Sequence, residues 1–224
     1  MLNREKISLF HIEKKFLDNN KINIILNDVT CEFEQGKCYA IVGASGVGKS
    51  TLMHLLAGID TPTAGDVLWD NRSLFSLVPE ERVKVVSLVT QSSFLIKELN
   101  VFENLLVAGM TYGLPKNRVL ADALGFLNAV GLVDAKEWHI GQLSGGQRQR
   151  LSLARALMAK PLFLLADEPT GNLDEATAHE LLDLLISCQK KWNMGLVIST
   201  HSTYVMQKMD VVFTLKNGML VNVL

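Results

Sequence analysis

A glycine-rich loop stands directly between an apolar run and a helix-like segment, and this arrangement constrains the fold more than any other feature. The apolar run is 38–42, the loop is 43–51, and residues 52–57 follow with helical character. The loop matches the pattern G-x-x-x-x-G-K-[ST], whose glycines let backbone N–H groups turn around a polyphosphate. The following helix presents unpaired N–H groups and its positive dipole end to the same anion. A glycine-rich turn with a chance lysine is the alternative, and the flanking strand and helix favour a nucleoside triphosphate site.

The chemistry of the loop predicts what its side chains do. Lys49 can reach the β- and γ-phosphates, and the Ser50 hydroxyl can bind Mg²⁺. The predicted nucleotide-binding residues of the loop are Gly43, Ala44, Ser45, Gly46, Val47, Gly48, Lys49, Ser50 and Thr51.

The composition indicates a well-packed domain. Of the 224 residues, 48% are hydrophobic and 20% are charged, which predicts a sizeable core and excludes disorder. A net charge of −1 gives no electrostatic reason to bind nucleic acid, so we expect no such partner. The three cysteines lack C-x-x-C spacing and indicate reduced thiols in a cytosolic protein. We expect neither a signal peptide nor a membrane span, so any membrane connection would come through a partner.

Apolar runs separated by helical segments predict an α/β fold with a parallel sheet covered by helices on both faces. Besides 38–42, these runs are 6–12, 22–33, 67–69, 83–90, 162–166, 196–200 and 211–215. The first helix is predicted to end at Gly58, a residue suited to a left-handed cap. From 91 to 157, leucines and valines recur at helical spacing, with breaks at 113–115 and 131–132.

The predicted organisation is a single domain, residues 1–224. A core with a β subdomain takes residues 1–90 and 158–224, and an inserted helical subdomain takes residues 91–157.

Two adjacent carboxylates, Asp167 and Glu168, follow the apolar run 162–166. Packing does not explain them, because ionised groups are costly away from water. Beside a phosphate loop, Asp167 can hold Mg²⁺ directly or through water. Glu168 can polarise the attacking water as a general base, a role typically worth about 10²–10⁴ in rate. A solvated Asp-Glu turn is the alternative reading.

A second anion-binding helix start is predicted at Ser144. Gly145, Gly146 and Gln147 follow this residue, and then comes the helical segment 148–155. A serine at the cap position with glycines behind it leaves backbone N–H groups open to an anion. The chain thus carries two surfaces suited to bind a γ-phosphate. We expect both to be used only if they act together across two molecules.

In this order the motifs resemble those of ATP-binding cassette (ABC) nucleotide-binding subunits, over essentially the whole chain. The resemblance implies an α/β fold: a P-loop NTPase core with a parallel sheet flanked by helices, an N-terminal antiparallel β subdomain and an inserted α-helical subdomain. It also implies a head-to-tail dimer, in which ATP and Mg²⁺ lie between one phosphate loop and the signature of the second copy. That signature is Ser144, Gly145, Gly146 and Gln147.

The resemblance implies roles for further residues. Gln91 would sense Mg²⁺ and the γ-phosphate, and Asp174 would couple the two sites at the dimer interface. His201 would hydrogen-bond the γ-phosphate and orient the catalytic carboxylate, with a purely structural histidine as the alternative. Phe16 would stack on adenine, an interaction worth about 1–3 kcal/mol. A core position is the alternative for Phe16, and Phe10 is the competing aromatic residue.

Residues 58–65 and 168–174 narrow the resemblance to the bacterial group that powers lipoprotein release and macrolide or peptide export. This implies an ATP-hydrolysing subunit held by a membrane permease at the inner face of the cell membrane. The alternative is a cell-division-type ATPase that transmits force to a cell-wall hydrolase. A soluble ABC protein acting on DNA or ribosomes would need insertions that this sequence does not contain. The sequence departs from the pattern of this group at Thr90, at Lys97 and within 138–142. These positions lie in or near the helical subdomain that receives the permease, so they concern the identity of the permease and leave ATP chemistry unchanged.

Overall fold

The computed structural model describes residues 4–18 and 21–223. The strands are β1 (Lys6–Asp18), β2 (Lys21–Glu34), β3 (Cys38–Val42), β4 (Ala64–Trp69), β5 (Arg72–Ser73), β6 (Val86–Val89), β7 (Phe163–Asp167), β8 (Gly195–Thr200), β9 (Val211–Lys216) and β10 (Met219–Asn222). The helices are α1 (Lys49–Leu56), α2 (Pro79–Val85), α3 (Val101–Thr111), α4 (Lys116–Ala129), α5 (Gly145–Leu157), α6 (Glu175–Trp192) and α7 (Thr203–Met206). Short 3₁₀ turns occupy Leu74–Ser76, Val133–Ala135 and Ile140–Gln142.

The larger sheet has six strands in the order β10-β9-β3-β8-β7-β6. The neighbours from β9 to β6 are parallel, and β10 pairs antiparallel with β9 at one edge. Helices and the smaller sheet bury this sheet, and every residue of β7 and β8 is buried. The predicted parallel α/β sheet is therefore confirmed. Because the strands are parallel, their carboxyl ends meet at one edge, where ligands bind in such sheets.

The smaller sheet is antiparallel, in the order β2-β1-β4-β5. The predicted strands 6–12 and 22–33 are part of a longer hairpin, in which Phe16 lies opposite Asn23. Cross-strand pairing with β2 carries β1 beyond its predicted end at residue 12, as far as Asp18.

The helical region lies between β6 and β7. Helix α3 ends and α4 begins beside the predicted break 113–115, α4 ends before the break 131–132, and α5 begins after the predicted cap Ser144. Asn100 and Ser144 start α3 and α5 with reciprocal capping boxes. The apolar faces of these helices join one buried cluster that includes Leu105, Phe126 and Leu153. In the described part of the chain, no helix combines the length and apolarity that a membrane span needs.

The strand prediction was wrong over 83–90, and it missed β5 and β10. The run 83–90 was expected to be one strand, but α2 continues to Val85 and only Val86–Val89 pairs with β7. Pro79 at the first turn, with Glu80 and Glu81 behind it, starts a helix strongly enough to override the β-branched residues that follow. Strand β10 was not predicted, although Asn217-Gly218, both at positive φ, form a hairpin turn before it.

A second buried cluster joins the two sheets to α1. It combines Ile7 and Phe33 of the smaller sheet with Leu52 of α1 and with Val197 and Leu215 of the larger sheet. The phosphate loop therefore stands where both sheets and α1 meet.

Candidate functional site

The loop 43–48 is held between the two sheets by close backbone approaches. A Cβ at Gly43 would lie 2.7 Å from the carbonyl oxygen of Leu215 in β9. A Cβ at Gly48 would lie 2.6 Å from Cγ2 of Ile25 in β2, and Gly48 also has φ of +111°. Only glycine meets both demands without strain. No side chain caps α1 at Gly48, so its first N–H groups remain available to an anion.

Lys49 places a buried ammonium at the floor of this loop. Its side chain is 5% exposed, and Nζ donates to the carbonyl oxygens of Gly43 (3.0 Å) and Ala44 (3.1 Å). Nζ also lies 3.2 Å from Oε1 of Glu168, whose side chain is 24% exposed. A charged group this well enclosed is fixed in place, and it attracts negative charge into the loop.

Glu168 occupies an uncommon backbone conformation at the end of β7. Its φ is +43°, which only a few per cent of non-glycine residues adopt. Its backbone N–H donates to both the carbonyl and the hydroxyl oxygen of Ser199 in β8. These bonds hold the turn that points the carboxylate toward Lys49.

Asp167 is the last residue of β7 and is 7% exposed. It lies opposite Ser199 in the parallel pairing, and the Ser199 hydroxyl donates to its Oδ1. A buried carboxylate that accepts from a neutral hydroxyl retains lone pairs for a cation. Across residues 4–18 and 21–223, no group of three or more His, Cys, Asp and Glu side chains could hold a metal ion.

His201 follows β8 at the same sheet edge. Its Nδ1 lies 3.9 Å from Oε2 of Glu168, and its side chain is 72% exposed. The structure thus brings together Lys49, Asp167, Glu168 and His201, which the sequence singled out from three separate segments. Ser50 is exposed and Thr51 is half-buried on the first turn of α1 beside Lys49.

Gln91 lies just past β6, beside the segment that follows Glu168. Its side-chain amide donates to Oδ1 of Asn172 at 3.2 Å, and a Cβ at Gly171 would lie 3.1 Å from Gln91 Nε2. Buried Gln149 of α5 also anchors this segment, because its side-chain amide donates to the carbonyl oxygen of Thr90.

Ser144 caps α5 as the sequence predicted. Its hydroxyl accepts from the N–H of Gln147, whose side chain accepts in return from the N–H of Ser144. A Cβ at Gly146 would lie 2.4 Å from Cγ2 of Thr177, so α5 and α6 approach very closely there. Ser144 and Gly145 are exposed at this helix start.

Asp174 is exposed and caps α6. Its carboxylate accepts from the N–H of Thr177 at 3.0 Å and from the Thr177 hydroxyl at 2.7 Å. Hydrogen bonds from the backbone and then the hydroxyl of Thr177 hold the pKa of Asp174 below its usual value.

Phe16 and Phe10 are both exposed on β1, so neither side chain is part of the core. Phe16 is 45% exposed, and the ammonium of Lys14 lies 5.0 Å from its ring centroid. Lys14 is itself buried against Asp60 and the carbonyl oxygen of Thr61. Phe10 instead meets the ring of His11 edge-on.

The signature and the phosphate loop are not joined within the described residues. No hydrogen bond or ion pair links 43–51 with 144–147 there, and the neighbours of the signature glycines are Leu173, Thr177 and Arg148. The chain therefore presents two separate anion-binding helix starts.

Sequence reasoning missed several residues that shape the site. Thr177 could have been found, because it stands three residues after the cap residue Asp174. Ser199 could have been found from the register of β7 and β8. Gln149, His179 and Tyr204 act through contacts between distant segments, and these leave no local signal.

Comparison with known proteins supports the reading of these motifs. A family model described as "ABC transporter" matches residues 26–171. The lipoprotein-releasing system ATP-binding protein LolD of Rickettsia typhi is 35% identical over 220 residues, which cover 98% of this chain and 99% of the relative. LolD of Myxococcus xanthus is 38% identical over 200 residues, covering 88% and 89%.

Solved structures agree with the sequence relatives. The dimeric structure of MJ0796, a bacterial ABC transporter cassette, superimposes with a TM-score of 0.86 at 30% identity, over 96% of both chains. The same cassette in a post-hydrolysis state bound to ADP and Pi gives a TM-score of 0.86 at 29% identity over the same shares. By its motifs, its fold and these relatives, the chain belongs to the ABC transporter family and is an ATP-hydrolysing, nucleotide-binding subunit.

Proposed function

We propose that two copies of the chain bind two ATP molecules between them, head to tail, and that this dimer powers a membrane permease. One observation carries the proposal: the helix starts at Gly48 and Ser144 both suit a phosphate, yet no hydrogen bond or ion pair joins their segments in the described residues. In a head-to-tail pair, each phosphate loop would face the signature of the other copy. The dimeric MJ0796 cassettes are consistent with this arrangement.

The residues fit ATP with Mg²⁺. A triphosphate would give the enclosed ammonium of Lys49 charged oxygen partners in addition to the two carbonyl oxygens and the Glu168 carboxylate that it now contacts. Ser50, Gln91 and Asp167 would hold the ion through oxygen atoms, which Mg²⁺ prefers, together with phosphate oxygens and water. When bound, the ion supplies neutralisation of charge on the phosphates.

The remaining residues would act directly on the nucleotide or on the attacking water. Glu168 would accept a proton from that water, and His201 would contact the γ-phosphate while orienting Glu168. Asp174, at the exposed start of α6, would couple the two sites across the dimer. Phe16 would stack on adenine with its exposed ring.

A groove of 340 Å³ between the core and the helical segment supports a permease contact. Its lining includes Ile59, Ile96 and Val107, whose side chains are 67%, 39% and 39% exposed. Exposed apolar side chains gathered in one groove indicate a protein partner. We take the helical subdomain, residues 91–157, as the part that receives it, with residues 1–90 and 158–224 forming the ATP-binding core.

The relatives named for lipoprotein release favour that task over other kinds of export. In this proposal, the chain lies at the cytoplasmic face of the membrane through its permease. ATP binding closes the dimer, and hydrolysis with phosphate release reopens it.

Affinity purification from solubilised native membranes tests the permease. Tagged Glu168→Gln with ATP and Mg²⁺ should hold the closed dimer and recover a permease in stoichiometric amount. Glu168→Gln combined with Lys49→Ala, which should bind ATP more weakly, is the matched control for nucleotide dependence when ATP is kept below the Kd of this double variant.

The identity of the recovered protein decides between the alternatives. A lipoprotein-release or export permease supports the proposal, and a permease bound to a cell-wall hydrolase supports the cell-division-type role instead. Recovery of ribosomes or DNA-repair factors without any membrane protein would overturn the permease assignment.

A further inference from the structure

Residues 200–205, called here the His201 turn, run from the end of β8 into α7 and have an aromatic contact that the proposed mechanism does not use. The ring of Tyr204 stacks on the ring of His179 in α6, with centroids 3.6 Å apart and planes inclined by 24°. Tyr204 is three residues beyond His201, and His179 is five residues beyond the α6 cap Asp174. The stack therefore joins the segments of two proposed functional residues.

Open space surrounds this contact. A cavity of 380 Å³ is bounded by the start of α6, by 168–173 and by the turn 200–205. His201 and Thr203 are exposed within the turn, whereas Val205 is buried in the core. Beside the exposed His201, it is Tyr204 and Val205 that pack against the core cluster, so the contacts of Tyr204 help to set the position of this segment.

The segment after the turn is tied to the same helix. Lys208 forms an ion pair with Asp183 of α6, and its ammonium lies 4.6 Å from the Tyr204 ring centroid. Helix α6 also packs on the signature, because Thr177 lies against Gly146. One helix thus contacts the turn of His201 on one side and the signature helix on the other.

We propose that Tyr204 is a positioning residue, whose stack on His179 holds His201 beside Glu168 and links that position to α6. The inference rests on the proposed role of His201. His201 Nδ1 lies 3.9 Å from Glu168 Oε2, longer than a hydrogen bond, so a small shift of the turn decides whether the two side chains interact. A misplacement of 1 Å in a catalytic geometry can cost about a hundredfold in rate.

Steady-state ATP hydrolysis by the full chain tests the proposal. Tyr204→Leu should lower kcat about tenfold and change the KM for ATP less than twofold, because position rather than nucleotide binding is lost. Tyr204→Phe keeps the ring and should stay within twofold of wild type. His179→Ala should reproduce the fall in kcat from the other side of the stack, which covers the case that Tyr204→Leu folds poorly. Thr203→Ala, in the same turn, is the matched control and should have no effect.

The decisive measurement is Tyr204→Leu in a His201→Ala background. A residue that acts through His201 has nothing left to position there, so kcat should fall less than twofold further. An equal tenfold fall in both backgrounds, or no fall in wild type, overturns the inference. If His201→Ala itself leaves kcat unchanged, the proposed role of His201 fails, and this inference fails with it. If His201→Ala lowers kcat and Tyr204→Leu does not, only this inference fails.

Discussion

Lys49 and Glu168 are opposite charges 3.2 Å apart in a site partly closed to water. Each stabilises the other in the enclosed site, and each also has a different proposed partner once nucleotide binds. Lys49 would bind the phosphates, and Glu168 would contact the attacking water. Substitution of Lys49 therefore tests nucleotide binding, and substitution of Glu168 tests the chemical step.

Lys49→Ala should weaken ATP binding by about tenfold to a hundredfold. Hydrogen bonds to charged groups are worth about 1.5–3 kcal/mol, and the ammonium would make them to the phosphates. Titration calorimetry with ATP and Mg²⁺ measures the change. Lys116→Ala, at an exposed lysine of α4, is the control. Unchanged affinity in Lys49→Ala would contradict the phosphate-loop assignment.

Glu168→Gln should lower the rate of ATP hydrolysis by at least a hundredfold and leave ATP affinity within a few-fold of wild type. The amide keeps the size of the side chain but cannot accept a proton from water. Single-turnover hydrolysis and equilibrium binding on the same sample separate the two effects. Turnover within twofold of wild type would refute the general-base assignment.

At the scale of elements, the contact between α5 and α6 explains why residue 146 is a glycine. Its α-carbon faces the methyl group of Thr177, whose hydroxyl and N–H bind the Asp174 carboxylate. The second signature glycine is therefore needed for packing within one copy, besides any role in binding nucleotide.

Gly146→Ala should lower the free energy of unfolding by about 1–3 kcal/mol, the usual cost of overpacking. Thr177→Ser removes the obstructing methyl but keeps the hydroxyl, so the double variant should recover most of the loss. Gly145→Ala is the matched control, because its Cβ would meet only ordinary contacts at 3.6 Å or more. Urea unfolding is measured for the wild type, the two single variants, the double variant and the control. No recovery in the double variant would show that the methyl is not the cause.

The elements that the sequence predicted correctly are those with strong local patterns. Strands β3, β7 and β8, the break between α3 and α4, and the caps of α1 and α5 all follow from apolar runs, glycines and Ser144. Helix α2 was misread because β-branched residues inside it resemble a strand. The hairpin β1–β2 was read too short, since its length comes from cross-strand pairing.

The site was predictable to a similar extent. Four site residues follow the ends of predicted strands: Lys49, Asp167, Glu168 and His201. Their proximity could be predicted, because parallel strands bring their carboxyl ends together. The Tyr204 and His179 stack joins segments that are distant in sequence. Only the folded chain reveals such a contact.

For the whole molecule, the head-to-tail proposal predicts complementation between two inactive variants. Lys49→Ala impairs the phosphate loop of its own copy, and Ser144→Arg impairs the signature of its own copy. In a mixed dimer, the intact loop of one copy meets the intact signature of the other, so one site is restored. ATP hydrolysis should rise on mixing to a substantial fraction of one wild-type site. The absence of any rise would contradict sites shared between copies, and each variant mixed with itself is the control.

Because the phosphate loop lies between the two sheets, nucleotide binding should be coupled to the stability of the fold. Gly43 touches β9 of the larger sheet, and Gly48 touches Ile25 of the β1–β2 hairpin. A nucleotide that tightens this loop binds only the state in which both sheets are assembled, so binding and assembly are linked. At a concentration one hundred times its Kd, such a ligand adds about 2.7 kcal/mol to folding. Part of that protection should reach hairpin amides that the nucleotide never touches, so hydrogen exchange there would report occupancy of the loop.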